Sequence, residues 1–454
     1  MKNAFIKTFL ISSLTVSFLY YFYTPTTHLH IYHDPATIPA FLQMKDYIKT
    51  NPKDTKIIWW DRYNHSIQNK EKYQNTLFIQ DTNNYRYAPP TPPRTIRILT
   101  SAYLYKNPKA NIHFHFNYMH LHVVNELKRD KKIMRKLKSV HFYEDAPAFF
   151  LRDTKYNFYF TQKTPYDKFL YIWSGTNSKS LCDQNPLEQC NHLEKIQHHT
   201  QIIYTDLQDY SQNLTIEDQS KIFKLINFDK PKYESILKNK PNLIYILGFD
   251  GGHLWQTQQL TALKKACNQL KEKHPNASLF YKQHPYKLNQ PTHTALNHLC
   301  PSIQPIETQI PFETFLTTNL KPTFVAGFSS SLFFNLKEDD ILYYIPRKSN
   351  VYLNILTKAG ILKNNQIVTP EQQIQELQES KIYEFLFDTS TPPSRANKNT
   401  LWVIEINNKM CNIFHEQCFN ILEKNEKTIR IDFNKGTTFH HFRDYQWVIE
   451  KKAP

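Results

Sequence analysis

PNLIYILGFDGGHLW, residues Pro241–Trp255, carries the reading from which the fold follows. An apolar, partly β-branched run closes on Gly248, and a short glycine-containing loop follows it. Beyond the loop, QQLTALKKACNQLKEK (258–273) has apolar residues at helical spacing, and ASLFYKQHP (277–285) returns to a strand pattern. PFETFL (311–316), the strand PTFVAGFSSS (322–331), a helix start at LFFNL (332–336) and the strand ILYYIP (341–346) continue it. Strands joined through helices make a mostly parallel sheet with helices on both faces, and such sheets bind ligands at the carboxyl ends of their strands.

The same alternation runs upstream. LHIYHDP reads as a strand ending at Asp34-Pro35, and a helix follows with Ile38, Leu42, Met44 and Ile48 on one side. TKIIWW and TLFIQ are strands, and TIRILTSAYLY is a further strand or the start of a helix. NIHFHFNYMHLHV alternates, ELKRDKKIMRKLKS is a basic helix, and VHFYED is a strand. Two α/β halves of this kind predict two Rossmann-like domains facing a cleft, at 28–235 and 236–380. Residues 155–240 read as polar and helical. After the linker-like STPPSRANKN, the short strands LWVIEIN, TIRIDF and YQWVIEK surround a cysteine-containing helix. They predict a small appended α+β unit at 395–454.

The chain has 454 residues, 56 Lys and Arg against 40 Asp and Glu, and a formal charge of +16. That excess suits phosphate-rich or anionic-membrane surroundings. No RRM, KH, helix-turn-helix or zinc-finger pattern accompanies it, so nucleic-acid binding is discounted. Only 7 glycines occur, which excludes collagen-like and Gly-linker readings. Lys2 and Lys7 precede the apolar run Phe9–Tyr23, and Pro25 ends it. Residues 1–27 are therefore expected to be an uncleaved anchor or signal-anchor, placing the protein at a bacterial inner membrane. Of the six cysteines, Cys182/Cys190 and Cys411/Cys418 lie close enough to bridge in an oxidising compartment; in a reducing one they are small buried residues.

The chemistry-bearing residues cluster after strands. Gly248, Gly251 and Gly252 follow one, and Gly327 precedes Ser329-Ser330-Ser331 after another. Such loops offer backbone N–H groups to an anion; taken singly, each also reads as a tight turn with an N-cap. Lys282 and His284, two apart, fall on one side of an extended strand end, with Pro285 stopping the ladder. A cation and an imidazole beside an anion loop suit a departing phosphate. Glu313 begins a short helix, where a carboxylate can hold ribose hydroxyls or serve as a helix-start charge. Glu144-Asp145 can supply a general base, at most one of the pair lining a cleft. His113, His115, His120 and His122 match no standard zinc helix, so no metal site is assigned.

Five motifs, LHIYHDPATIPAFLQ, FYEDAP, FYKQHPYK, PFETFL and GFSSSLFF, in this order and spacing, resemble the bacterial sialyltransferases of glycosyltransferase family 80. The similarity spans about Leu29 to Leu362. It implies a GT-B fold and an inverting, metal-independent transfer of sialic acid from CMP-sialic acid to a galactose-terminated glycan or glycolipid, without a cofactor. By motif, Asp145 would be the base and His284 the partner of the leaving phosphate. Ser330 and Ser331 would bind that phosphate, Lys282, Gly248 and Pro285 would lie along the donor, and Glu313 would hold the ribose. Arg62 in WWDRY, His122 in MHLHV and Trp255 would face the acceptor. The family's DDG around the base is EDAP here, and the cation or glycine expected after HP is Tyr286. Another CMP-activated acid sugar, or a silent glycan binder of the same fold, are the competing expectations.

Overall fold

Two parallel sheets and one antiparallel sheet make up the protein, a computed structural model of which describes residues 25–34, 37–60, 67–79, 93–117, 130–143, 169–173, 201–204, 214–238, 240–248, 257–284, 290–318, 320–346, 351–358, 360–386, 400–424 and 429–432. The chain divides into two units after Phe228.

In the first unit seven parallel strands run in the order β3-β2-β1-β4-β5-β6-β7. They are β1 (His28–Asp34), β2 (Thr55–Trp60), β3 (Thr76–Phe78), β4 (Asn111–Asn117), β5 (Leu137–Tyr143), β6 (Phe169–Trp173) and β7 (Gln201–Tyr204). The order folds back between β1 and β4, which puts the switch point of a doubly wound sheet there. Helix α1 (Thr37–Lys49) packs over β1, β4 and β5. TIRILTSAYLY lies in helix α2 (Pro93–Lys106), and the basic segment contains the short helix α3 (Lys131–Lys136), capped by Asp130. Helix α4 (Ile216–Leu225) closes the unit.

The expectation of a purely helical stretch at 155–240 fails, because β6 and β7 extend the sheet there. FLYIW and QIIY are short apolar runs whose periodicity cannot distinguish a strand from a helix; their length favours the strand.

The second unit repeats the order as β10-β9-β8-β11-β12, all parallel. Its strands are β8 (Asn242–Leu247), β9 (Ser278–Gln283), β10 (Gln304–Ile306), β11 (Phe324–Phe328) and β12 (Ile341–Ile345). Its helices are α5 (Lys230–Leu237), α6 (Leu263–Lys273), α7 (His293–Leu299), α8 (Glu313–Thr317), α9 (Val351–Lys358) and α10 (Pro370–Glu379). LFFNL is not an α-helix but a 3₁₀ turn, Ser331–Asn335.

The C-terminal segment adds a small antiparallel sheet, one face of which packs onto the core of the second unit. β13 (Ile382–Leu386), β14 (Thr400–Ile406), β15 (Lys409–Asn412), β16 (Cys418–Lys424) and β17 (Ile429–Ile431) form an antiparallel sheet in sequence order. Alternation along β14 sends Trp402 and Ile404 into the core shared with Leu243, Tyr245 and Leu270. Leu401 and Val403 face the opposite way, onto Met410, Phe419 and Ile431. The expected cysteine-containing helix is instead the β15–β16 hairpin, across which Cys411 and Cys418 are directly opposed and bridged. A second disulfide, Cys267–Cys300, joins α6 to the end of α7 inside the core; Cys182 and Cys190 lie outside the described residues.

Candidate functional site

In the second unit the order folds back between β8 and β11, so ligands are expected outside the carboxyl ends of those two strands. Gly248 follows β8 directly, and Ser329 and Ser330 follow β11. His284 follows β9, the other neighbour of β8. The phosphate-binding candidates therefore gather at one end of one sheet. The concave surface lined by Leu237, Lys240, Leu320 and Lys321 lies at the opposite, amino ends of β8 and β11.

Local physics explains each position. A Cβ on Gly248 would lie 2.5 Å from Cδ1 of the Phe328 ring, so any larger residue must push that ring aside. Gly327 is not part of the loop, as expected from sequence, but buried within β11 opposite Ile246. Its φ of +132° and the Ile246 backbone beside it exclude any side chain. Ser329 bonds the Tyr344 hydroxyl at 2.7 Å and donates its N–H to the Ile345 carbonyl. Ser330 caps the 3₁₀ turn, accepting from the Leu332 N–H at 3.4 Å, and Ser331 is the first residue of that turn.

Lys282 and Glu313 are both buried, at 6% and 3% exposure. The Lys282 ammonium donates to the carbonyls of Thr308, at 2.8 Å, and Gln283, at 3.1 Å. Burial lowers its pKa to about 7, a shift opposed by the Glu313 carboxylate. Glu313 is the first residue of α8. Lys282 thus ties the end of β9 to the loop after β10, with the Glu313 carboxylate near enough to act on it electrostatically.

A pH dependence follows. The unfolded Lys282 holds its proton up to the ordinary lysine range and the folded one only to about 7. Above that value the unfolded chain binds more protons, so stability rises with pH towards the unfolded pKa. The double variant Lys282→Met, Glu313→Gln should flatten the rise between pH 7 and 9, read by urea unfolding at several pH values; equal slopes in variant and parent would contradict it.

Asp145, Glu144, Arg62, His120, His122, Gly251, Gly252, Trp255 and Pro285 lie outside the described residues. Tyr143 is the last residue of β5, an interior strand, and Asp145 follows it by two residues in the sequence.

The first unit also holds a constellation that the sequence reading did not assemble. His28, His30 and Tyr32 alternate along β1, and His113 and His115 sit beside them on β4. Ser139, His141 and Tyr143 extend the same row on β5, and Asp46 reaches it from α1. The rings stack, His30 on His113 at 4.4 Å and Tyr32 on His115 at 4.1 Å. Burial, aided by neighbouring imidazoles, lowers His30 to about 3 and His113 to about 4, and keeps His115 well below the ordinary histidine range. Asp46, His115 and His141 converge closely enough to hold a metal ion. The signal available in the sequence was the repeated His-x-His in two strands that the topology makes neighbours.

Two units, each a parallel sheet of Rossmann order, define the GT-B architecture of glycosyltransferases. No protein-family model matches the chain, and no curated protein matches it by sequence. Among solved structures it is similar to a 2,6-sialyltransferase of a Photobacterium species in complex with CMP and lactose, at 18% identity and TM-score 0.55, covering 75% of this chain and 78% of the other. It is also similar to an α/β-galactoside α-2,3-sialyltransferase of Photobacterium phosphoreum, at 18% identity and TM-score 0.57, over 75% and 98% of the two chains. The GT-B domain of a Photobacterium damselae sialyltransferase matches at 17% identity and TM-score 0.56, over 75% and 99%. The resemblance carried by the five motifs therefore extends to the fold.

Proposed function

We propose that the protein is an inverting sialyltransferase that moves sialic acid from CMP-sialic acid to a terminal galactoside, in α-2,3 linkage, on bacterial lipooligosaccharide or another surface glycan. One observation carries this reading: the donor-side motifs meet at the carboxyl ends of β8, β9 and β11, around the switch point, in a fold shared with sialyltransferases. CMP would lie across that end. Its phosphate would meet the hydroxyls and N–H groups of Ser330 and Ser331, with His284 opposite. Gly248 would let the nucleotide approach the backbone, Pro285 would shape the turn, and Glu313, near Lys282, would take the ribose hydroxyls.

The sialyl anomeric carbon is tertiary and its CMP ester leaves readily, so the transition state is oxocarbenium-like. It needs a base on the incoming hydroxyl, Asp145, and stabilisation of the phosphate on the opposite face. Displacement in line inverts the centre. Arg62, His122 and Trp255 would orient the galactoside. No metal or cofactor takes part in these steps.

The test is incubation of the protein with CMP-sialic acid and lactose, following CMP release and product mass, alongside calorimetric titration with CMP. Sialyl-lactose is the expected product. CMP binding without turnover would point to another CMP-sugar, another acceptor or a silent binder, and absence of CMP binding would overturn the reading.

Residues 1–27 are proposed to attach the enzyme to the inner membrane. No helix among the described residues is long and apolar enough to cross one, and Phe9–Tyr23 lies outside them. Removing residues 1–24 should release the protein from membranes.

A further inference from the structure

We propose that Asp46, His115 and His141 form a binding site for one zinc ion, which ties α1 to β4 and β5 just ahead of Asp145. The three ligand atoms are side-chain neighbours on one face of the first sheet. His141 Nδ1 stands 3.2 Å from Asp46 Oδ2 and His115 Nδ1 3.8 Å from it. Tetrahedral zinc with bonds of about 2.0–2.1 Å needs ligand separations of about 3.3 Å; the two pairs made with Asp46 are near that value, and all three ligand atoms lie within 4.8 Å of one another. The Tyr143 hydroxyl, which donates to Asp46, lies 3.0 Å from His115 Nδ1.

The outer contacts orient the ligands in the way a metal requires. His30 Nε2 faces Asp54 Oδ2 at 3.5 Å, and His30 Nδ1 faces His115 Nε2 at 3.2 Å. If His30 donates to Asp54, its Nδ1 accepts from His115 Nε2–H, and His115 Nδ1 presents a lone pair. Carboxylate–histidine pairing behind a ligand histidine is the usual device for fixing its tautomer.

Burial adds a second argument. His115 is 3% exposed, and its Nδ1 stands 3.0 Å from the Tyr143 hydroxyl, which donates to Asp46. In the tautomer that leaves His115 Nδ1 without a proton the two atoms meet as acceptors, and a cation held by Asp46 and the two imidazoles would offset that cost. Asp46 and His141, at 29% and 21% exposure, leave the ion a path from solvent. The ion is structural, and sialyl transfer is not routed through it.

The full chain, stripped with chelator, should bind one zinc per molecule with submicromolar affinity when titrated with zinc chloride alone, and its melting temperature should rise. Cobalt(II) should give the visible bands of a tetrahedral N/O site without a thiolate charge-transfer band. Asp46→Asn and His141→Gln should each weaken zinc by more than about 100-fold, whereas His28→Gln, elsewhere in the row, should not. Stoichiometry and the cobalt spectrum of the parent decide the matter even if a variant fails to fold. Millimolar affinity, a thiolate spectrum, or equal binding by parent, Asp46→Asn and His141→Gln would overturn the proposal.

Discussion

Asp145→Asn should lower kcat/KM for sialyl transfer by about 10²–10⁴-fold, the contribution of a positioned general base, while leaving CMP affinity unchanged. The acceptor hydroxyl loses its proton only as the bond to the anomeric carbon forms, so the carboxylate acts in the transition state and not in donor binding. Asparagine keeps the shape and removes the basic oxygen. His284→Asn should also slow transfer, and it should in addition weaken CMP, because this residue follows β9 at the carboxyl end of the sheet, where the proposed reading places the leaving phosphate. The two sets of kinetics therefore separate the roles: one substitution silent in CMP titration, the other not. The double variant should fall short of the product of the single effects, since base and leaving-group partner serve one displacement. Retention of activity within about threefold in Asp145→Asn would move the base elsewhere, with Glu144 the first candidate, given that 10²-fold is the least such a group contributes.

Much of this architecture was legible because short apolar runs alternate with amphipathic ones. LIYIL, SLFYK and FVAGF each read as a buried strand, and they pair in parallel around one switch point. Signals that depend on partners far along the chain were not legible. FLYIW and QIIY carry no periodicity of their own, and only edge pairing with β5 and with each other makes them strands. The Cys267–Cys300 bridge, 33 residues apart, forms because α6 and α7 bring the two residues together, whereas the separation of 7 between Cys411 and Cys418 was suggestive from the start. Trp402 and Ile404 look like an appendage until the parallel core is there to receive them.

The candidate site divides the same way. Gly248, Lys282, His284, Glu313 and Ser330 could be singled out as candidates because each stands at the end of a strand or the start of a turn, where pattern changes. The direction of Lys282 was not readable. Alternation along β9 says which face a side chain leaves from, but not that Thr308 and Glu313 wait beneath it. The imidazole row shows the converse: its pattern was visible in HLHIYHD and NIHFHFN, but its meaning depended on β1 and β4 being neighbours.

Gly327→Val should leave little folded second unit, and Gly327→Ala should cost at least about 3 kcal/mol, combining a strained backbone with overpacking. At φ +132° an L side chain is strained, and here the strain meets a collision: a Cβ would stand 2.3 Å from the Ile246 carbonyl oxygen and 2.7 Å from its nitrogen. Those atoms belong to the backbone of β8, so no rotamer change relieves the contact, and the β8–β11 pairing must open. That pairing is the switch point, with Gly248 at the end of one strand and the serines at the end of the other. Loss of stability and loss of CMP binding should therefore appear together. Two other glycines calibrate the effect. Gly360 also has positive φ, at +67°, but nothing lies within 4 Å of its virtual Cβ; Gly360→Ala should cost only about 1–2 kcal/mol, the price of the left-handed conformation. Gly248→Ala meets the Phe328 ring, a side chain that can shift, and should weaken CMP more than it lowers stability. Urea unfolding of the three alanine variants, paired with CMP titration, tests the ranking; a Gly327→Ala midpoint equal to that of Gly360→Ala would show that β8 and β11 are not held this closely.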